Sequence, residues 1–148
     1  MLIDQQQYEQ ITQVFPRPCA DILVQNTSGK VLLMFRANQP FKGQWWFPGG
    51  RVHFNETRLS TASRKLHEEC DLSVDTALEK LGTHDLFYTA EGRDYHDITT
   101  LFRVVVPDNT LIKPDSQALD FGWFRQGECE ALNLHPYVSK YVNRDKTI

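Results

Sequence analysis

Apolar positions recur along this chain in two periods, one helical and one of strands. Over residues 4–15 the apolar Tyr8, Ile11 and Phe15 fall three and four apart, which predicts a helix ended by Pro16 and Pro18. Residues 19–25 (CADILVQ) and 30–36 (KVLLMFR) read as strands, and Asn26-Thr27-Ser28-Gly29 between them makes the pair a hairpin. After a loop over 37–44 with Pro40 and Gly43, Trp45-Trp46-Phe47 reads as a short aromatic strand that stops at Pro48-Gly49-Gly50. The clearest helix covers 57–70, where Leu59, Ala62, Leu66 and Cys70 build one apolar stripe. Residues 81–88 and 97–106 read as strands joined by the polar stretch TAEGRDYH, and 107–117 as a loop. A short strand over 121–124, a helical turn over 128–132 and a helix over 136–143 complete the chain. Strands in antiparallel hairpins mixed with helices predict a layered α+β fold, and 148 residues fit one domain over 1–148.

Composition narrows the function classes. A net charge of -3 offers no basic surface for generic nucleic-acid binding and no polybasic membrane patch, so an anionic ligand must be met by a local cluster of Arg and Lys. Cys19, Cys70 and Cys129 are far apart, without a CxxC, and read as free thiols. The polar start MLIDQQQYEQITQVF has no apolar signal core and no run reaches membrane-span length, so a cytoplasmic protein is expected.

The segment with chemistry is 49–72, GGRVHFNETRLSTASRKLHEECDL. Two glycines after a short strand let the backbone turn tightly and approach a ligand, and an inward carbonyl there can coordinate a hard cation. Glu56 precedes the helix, where a carboxylate suits its N-terminal dipole. Arg64 and Glu68 share one helix face, as do Lys65 and Glu69, and Glu69 borders the apolar stripe, where a carboxylate can point into a cleft. Magnesium takes a few carboxylate oxygens, carbonyls, waters and substrate phosphates, so Glu68, Glu69 and a Gly49 or Gly50 carbonyl could form such a set. The same spacing also fits an ordinary amphipathic helix with a solvated acidic face.

Taken whole, the segment resembles the Nudix box: Gly50, Glu56, Arg64, Glu68, Glu69 and Leu72 match in register. The resemblance implies a mixed β-sheet sandwiched between helices in α/β/α layers. Two positions depart, Lys65 where the family has Glu and Asp71 where it has Gly. A protonated lysine cannot coordinate magnesium, which implies fewer carboxylates and fewer ions. Asp71 is expected to alter the helix C-terminus, where Gly is favoured for its left-handed backbone.

Beyond the box, the chain is similar to the GDP-mannose mannosyl hydrolase branch. The similarity runs through Leu2-Ile3, Asp21-Ile22, the stretch from Arg36 to Val52, and Asp115-Ser116-Gln117. It implies a homodimeric enzyme that hydrolyses a GDP-sugar, GDP-mannose or GDP-glucose, to GDP and free sugar by attack at the anomeric carbon. Magnesium, with manganese as an alternative, would be held by a Gly49 or Gly50 carbonyl, Glu69 and Gln117. Arg36 and Arg51 would neutralise the diphosphate, a task suited to the planar guanidinium fork. Leu2, Ile3 and Tyr8 would contact the nucleotide across the dimer interface, and Asp21 would lie near the sugar. Plainer roles exist for each: Arg36 as a solvated strand end, Arg51 paired with Glu56 or Glu69, Tyr8 as a helix–core contact.

The resemblance fails where the branch places its general-base histidine, because that position is Ala118. An expected tyrosine is Phe102, which lacks the hydroxyl. Asp120, Asp115, His84 or His96 could replace the base, with Asp120 the leading choice. Two other outcomes fit: a Nudix pyrophosphatase that attacks phosphorus of another nucleoside diphosphate or triphosphate derivative, or a nucleotide-sugar-binding protein that has lost catalysis. His53, His67 and His135 read as surface or packing residues.

Overall fold

The computed structural model describes residues 3–74 and 77–143. The elements run α1 (Gln5–Thr12), β1 (Arg17–Asn26), β2 (Val31–Arg36), β3 (Trp45–Trp46), β4 (Gly49–Arg51), α2 (Arg58–Cys70), β5 (Glu79–Ala90), β6 (Arg93–Val106), β7 (Ala118–Phe124), α3 (Gln126–Cys129), a 3-10 turn (Glu130–Leu132) and α4 (Pro136–Val142). The strands form one mixed sheet ordered β3-β2-β1-β6-β5, with β4 added to β1 and β7 to β2. β1 and β6 run parallel, from Arg17↔Asp97 to Asn26↔Val106.

Strand alternation sends side chains to two faces. Ala20, Ile22 and Val24 of β1 pack with Leu66 and Cys70 of α2 and with Phe102 and Val104 of β6. Leu23, Leu33, Phe47 and Leu101 meet Tyr137, Val138 and Tyr141 of α4 on the other face. Helices therefore cover both sides of the sheet, as the resemblance implied. Each fully buried aliphatic side chain here stabilises by about 1.5–3 kcal/mol before entropy is counted.

Three expectations are revised. α1 stops at Thr12, before the prolines, because the Thr12 hydroxyl donates back to the Tyr8 and Glu9 carbonyls at 3.0 and 3.2 Å and the Val14 and Phe15 N–H groups both turn onto Ile11. The polar stretch TAEGRDYH is not a loose connection but the tip of a long β5–β6 hairpin. Glu91 and Gly92 both take positive φ, the turn geometry that matches strand twist, and Tyr88 stacks on Tyr95 at 5.1 Å across it. Asp71 does not disrupt the end of α2. It adopts the left-handed conformation itself (φ 54°), its N–H bonds the last turn, and Leu72 N–H reaches the Leu66 carbonyl at 3.2 Å. Asp tolerates that region better than most side chains do.

The sheet parts between β1 and β2. β1 and β2 share register only at Gln25↔Val31. Toward the other end of β1, Cys19 to Asp21 pair with β4, while the end of β2 pairs with β3 and β7. Among the described residues no helix is long and apolar enough to cross a membrane.

Candidate functional site

A cavity of about 230 Å³ opens where β1 and β2 diverge, lined by Asp21 of β1, Arg36 of β2, Gly49, Gly50 and Arg51 of β4, Lys65 and Glu69 of α2, and Gln117. Eight of the positions singled out from the sequence are thus brought together, from segments nearly a hundred residues apart in the chain.

Glu69 anchors the arrangement. It is buried, and its Oε2 accepts the Gly49 N–H at 2.9 Å. Its Oε1 lies 3.2 Å from the Lys65 ammonium. Burial pushes the Glu69 carboxyl above its usual range, against the pull of Lys65 and the Gly49 N–H. Gly49 allows no side chain: a Cβ there would stand 2.0 Å from Asp21 Oδ1 and 2.5 Å from the Ala20 carbonyl oxygen. Backbone, Asp21 and Glu69 therefore meet at one point.

Asp21 is buried as well, with Oδ2 accepting from Tyr137 Oη at 2.9 Å and Thr99 Oγ1 at 3.0 Å. Burial raises its carboxyl to about 6, although both hydrogen bonds oppose the rise. Arg36 is steadied by its Nε donating to the Pro40 carbonyl at 2.7 Å. The Arg51 guanidinium lies over the Tyr8 ring, 4.6 Å from its centroid. The pairing of Arg51 with Glu56 or Glu69 is not found: Arg64 takes Glu56 and Lys65 takes Glu69. Gln117 accepts from Asn38 through Oε1 at 3.0 Å and from the Ala37 N–H through its carbonyl at 3.1 Å.

Other positions fall outside the cavity. Glu68 projects to solvent, 44% exposed, and pairs with Arg64 at 3.2 Å and Lys65 at 3.3 Å. It is one helical residue away from Glu69, and that rotation turns it off the cleft. Asp120 is exposed on β7 and accepts its neighbour Phe121's N–H at 2.8 Å. Asp115 caps the Gln117 N–H at 2.9 Å, His96 pairs with Asp85 at 2.8 Å, and His84 bonds Tyr141. None of these four stand-in bases lines the cavity. Ala118 lies opposite Arg36 on the neighbouring strand. Phe102 packs under α2 in the core, so its missing hydroxyl is not missing from the cavity wall. Tyr8 lines an adjoining cavity of about 120 Å³ that shares Arg17, Gln39 and Pro40 with the first. Ile3 is 37% exposed, and Leu2 lies outside the described residues.

Sequence reasoning passed over two lining residues. Arg17, the first residue of β1, and Asp97, its register partner on the parallel β6, pair through two hydrogen bonds of 2.6 and 2.9 Å. Arg17 also donates to Tyr8 Oη at 2.9 Å and Tyr88 Oη at 3.1 Å. Burial disfavours its charge, but Asp97 more than compensates and raises its pKa. The available signal was a charge at or just before the apolar run of each strand.

The comparisons with known proteins fit this geometry. A family model, the NUDIX domain, matches residues 15–144. The chain belongs to the Nudix family. Members generally use divalent metals such as magnesium and bind nucleotide derivatives. The low-salt glycan biosynthesis protein Agl8 of Haloferax volcanii is 36% identical over 146 residues, covering 95% of this chain and 89% of that protein. Among solved structures, the Nudix domain of Shewanella oneidensis NrtR, complexed with ADP ribose, aligns with a TM-score of 0.71 at 19% identity over 93% of this chain and 96% of that one. The MutT protein of Methanosarcina mazei Go1 aligns at 0.69 and 18%, over 88% and 94%. These two show the shared fold.

The donor set suits magnesium only in part through side chains. Among the described residues no three His, Cys, Asp or Glu groups converge on one point. Magnesium keeps several waters and readily completes its shell with substrate phosphates, so one buried carboxylate with carbonyl donors is a fit for it.

Proposed function

We propose that this Nudix chain is a magnesium-dependent hydrolase of a nucleoside-diphosphate sugar, a GDP-sugar such as GDP-mannose or GDP-glucose, yielding GDP and free sugar. The observation that carries the reading is the meeting of Glu69, Gly49 and Gln117 with Arg36 and Arg51 in one cavity. A carboxylate with neutral oxygen donors suits a hard cation, and two arginines beside it suit a diphosphate. The similarity to a glycan biosynthesis protein supports a sugar-linked substrate.

Glu69, a Gly49 carbonyl and the Gln117 side-chain oxygen would hold the ion. In an antiparallel strand a residue's N–H and carbonyl face the same edge, and the Gly49 N–H already faces Glu69, which favours Gly49 over Gly50 as the donor. Bound magnesium would supply charge that makes the diphosphate a better leaving group. Arg36, braced by Pro40, and Arg51, braced by Tyr8, would grip the same diphosphate and stabilise the charge that develops as the bond to the sugar breaks. Asp21, held on one oxygen by Tyr137 and Thr99, would face the sugar with the other. Manganese would replace magnesium in the same donor set.

Ala118 removes the proton acceptor that the branch relies on, so turnover is expected to be slow, by about 10²–10⁴ relative to an enzyme with its base. The same residue favours two alternatives, attack at phosphorus and binding without turnover. A homodimer in which α1 meets a second copy fits the exposure of Ile11 (47%), Val14 (71%) and Phe15 (67%) beside Tyr8.

The test is a magnesium-dependent screen of nucleoside-diphosphate sugars at high enzyme concentration, with both products identified. GDP plus free sugar is expected. GMP plus sugar phosphate would instead make the chain a pyrophosphatase, and saturable binding without products would make it a binding protein.

A further inference from the structure

Lys65 stands where the family has a carboxylate, and its side chain goes into the site rather than out to solvent. Its stem lies on the bare backbone of Gly50, so that a Cβ there would come within 2.8 Å of Lys65 Cε. Only 14% of the Lys65 side chain is exposed. The ammonium ends 3.2 Å from Glu69 Oε1 and 3.3 Å from Glu68 Oε2.

This position makes Lys65 a competitor. Glu69 has two oxygens, and the Gly49 N–H already uses Oε2. A divalent ion arriving at Glu69 must share or take the oxygen that faces Lys65. The lysine can yield without being stranded, because Glu68 is a second partner on the solvent side. The surrounding charge adds to the competition. The cavity lining carries four cationic side chains, Arg17, Arg36, Arg51 and Lys65, and three carboxylates, Asp21, Glu69 and Asp97, a balance of +1. Of those carboxylates, Asp97 is consumed by Arg17 and Glu69 by Lys65. A lone divalent cation therefore enters against an opposing field, whereas a diphosphate enters with it.

We propose that Lys65 is a resident cation at Glu69, displaced when a divalent ion arrives together with a diphosphate, so that the site takes up the metal–diphosphate complex in preference to the bare metal. The proposal rests on the metal and diphosphate assignments above, but not on the sugar, the base or any turnover. In linkage terms the lysine lowers metal affinity in the empty site, and a diphosphate restores it.

Water-proton relaxation enhancement reads protein-bound Mn²⁺ directly and tests this on the full chain stripped of metal. Mn²⁺ is titrated into the wild type, Lys65→Met and Lys65→Gln, each alone and with saturating GDP, with ADP in parallel so that the result does not hang on the base. Without nucleotide, both variants should bind Mn²⁺ about tenfold more tightly than the wild type, a coupling of ordinary size for two ligands at one site. With nucleoside diphosphate, the wild type should gain about as much and approach the variants. Glu69→Gln should remove the bound signal in every background.

Natively folded variants that bind bare Mn²⁺ no more tightly than the wild type would overturn the proposal, as would a signal that survives Glu69→Gln. If one substitution fails to fold, the other decides. If both fail by circular dichroism, Lys65 is a structural strut and the proposal falls. A negative sugar screen would defeat the proposed function yet leave this metal result standing, and Lys65 variants that bind Mn²⁺ no more tightly would defeat this proposal yet leave the proposed function standing.

Discussion

Glu69 is a buried carboxylate at the wall of the cavity. Its charge is disfavoured by burial, yet both oxygens have partners on Gly49 and Lys65. Glutamine keeps an acceptor for the Gly49 N–H and loses the charge. Glu69→Gln should therefore abolish metal-dependent turnover while changing unfolding free energy by no more than about 1.5 kcal/mol, read by product assay and urea denaturation. A variant that unfolds would assign Glu69 a structural role instead. At this scale the sequence was informative where chemistry is local: the two glycines and Glu69 could be chosen from spacing and resemblance. It was silent where chemistry depends on distant strands. Arg17 and Asp97 are eighty positions apart and meet only because β1 and β6 run parallel in register. Asp120 looked like a stand-in base from its place near Gln117, but a strand turns alternate side chains apart and leaves it facing solvent.

At the scale of elements, α2 and β4 form one unit. Thr57 caps α2, its hydroxyl accepting the Ser60 N–H at 3.0 Å. Arg64 then joins the helix to the preceding segment, donating to Glu56 at 2.7 and 2.9 Å and to the Arg51 carbonyl at 3.0 Å. Two residues that match the family pattern thus position the site instead of entering it. The Arg64 bonds, helped by Thr61 and the His53 N–H, hold the Glu56 carboxyl down at about 2. A carboxyl lowered in the folded state adds stability that is present above its ordinary value, near 4.5, and is lost as pH falls from there toward 2. Glu56→Gln should cost about 2 kcal/mol at neutral pH, with allowance for solvent screening, and flatten the loss of stability between pH 4.5 and 2. Urea midpoints measured across that range check it; equal slopes for wild type and variant would contradict it. The helix itself was plain in the sequence from the spacing of its apolar residues; Ala62, Leu66 and Cys70 of that stripe are buried, but Leu59, in the first turn, is 49% exposed. The β5–β6 hairpin was only half seen, because its outer ends are polar on both faces and carry no alternation to read.

The whole molecule explains why these pieces act together. A layered α+β fold was expected from the order of elements, and a mixed sheet with helices on both faces from the family resemblance; the packing agrees with both. What no periodicity could announce is the divergence of β1 from β2, which sets Arg36, Gln117 and the β4–α2 unit around one opening. Opposite Arg36, Ala118 stands where the similar branch has its histidine and packs against the core cluster without lining the opening. We propose that the cation and the two arginines act on the diphosphate as a leaving group, so that water attacks carbon. Hydrolysis of GDP-mannose in ¹⁸O-labelled water with excess magnesium tests this most directly. The label is expected at C1 of the released sugar, with unlabelled GDP; label on phosphorus, in GDP, GMP or sugar phosphate, would show attack at phosphorus and overturn the proposal.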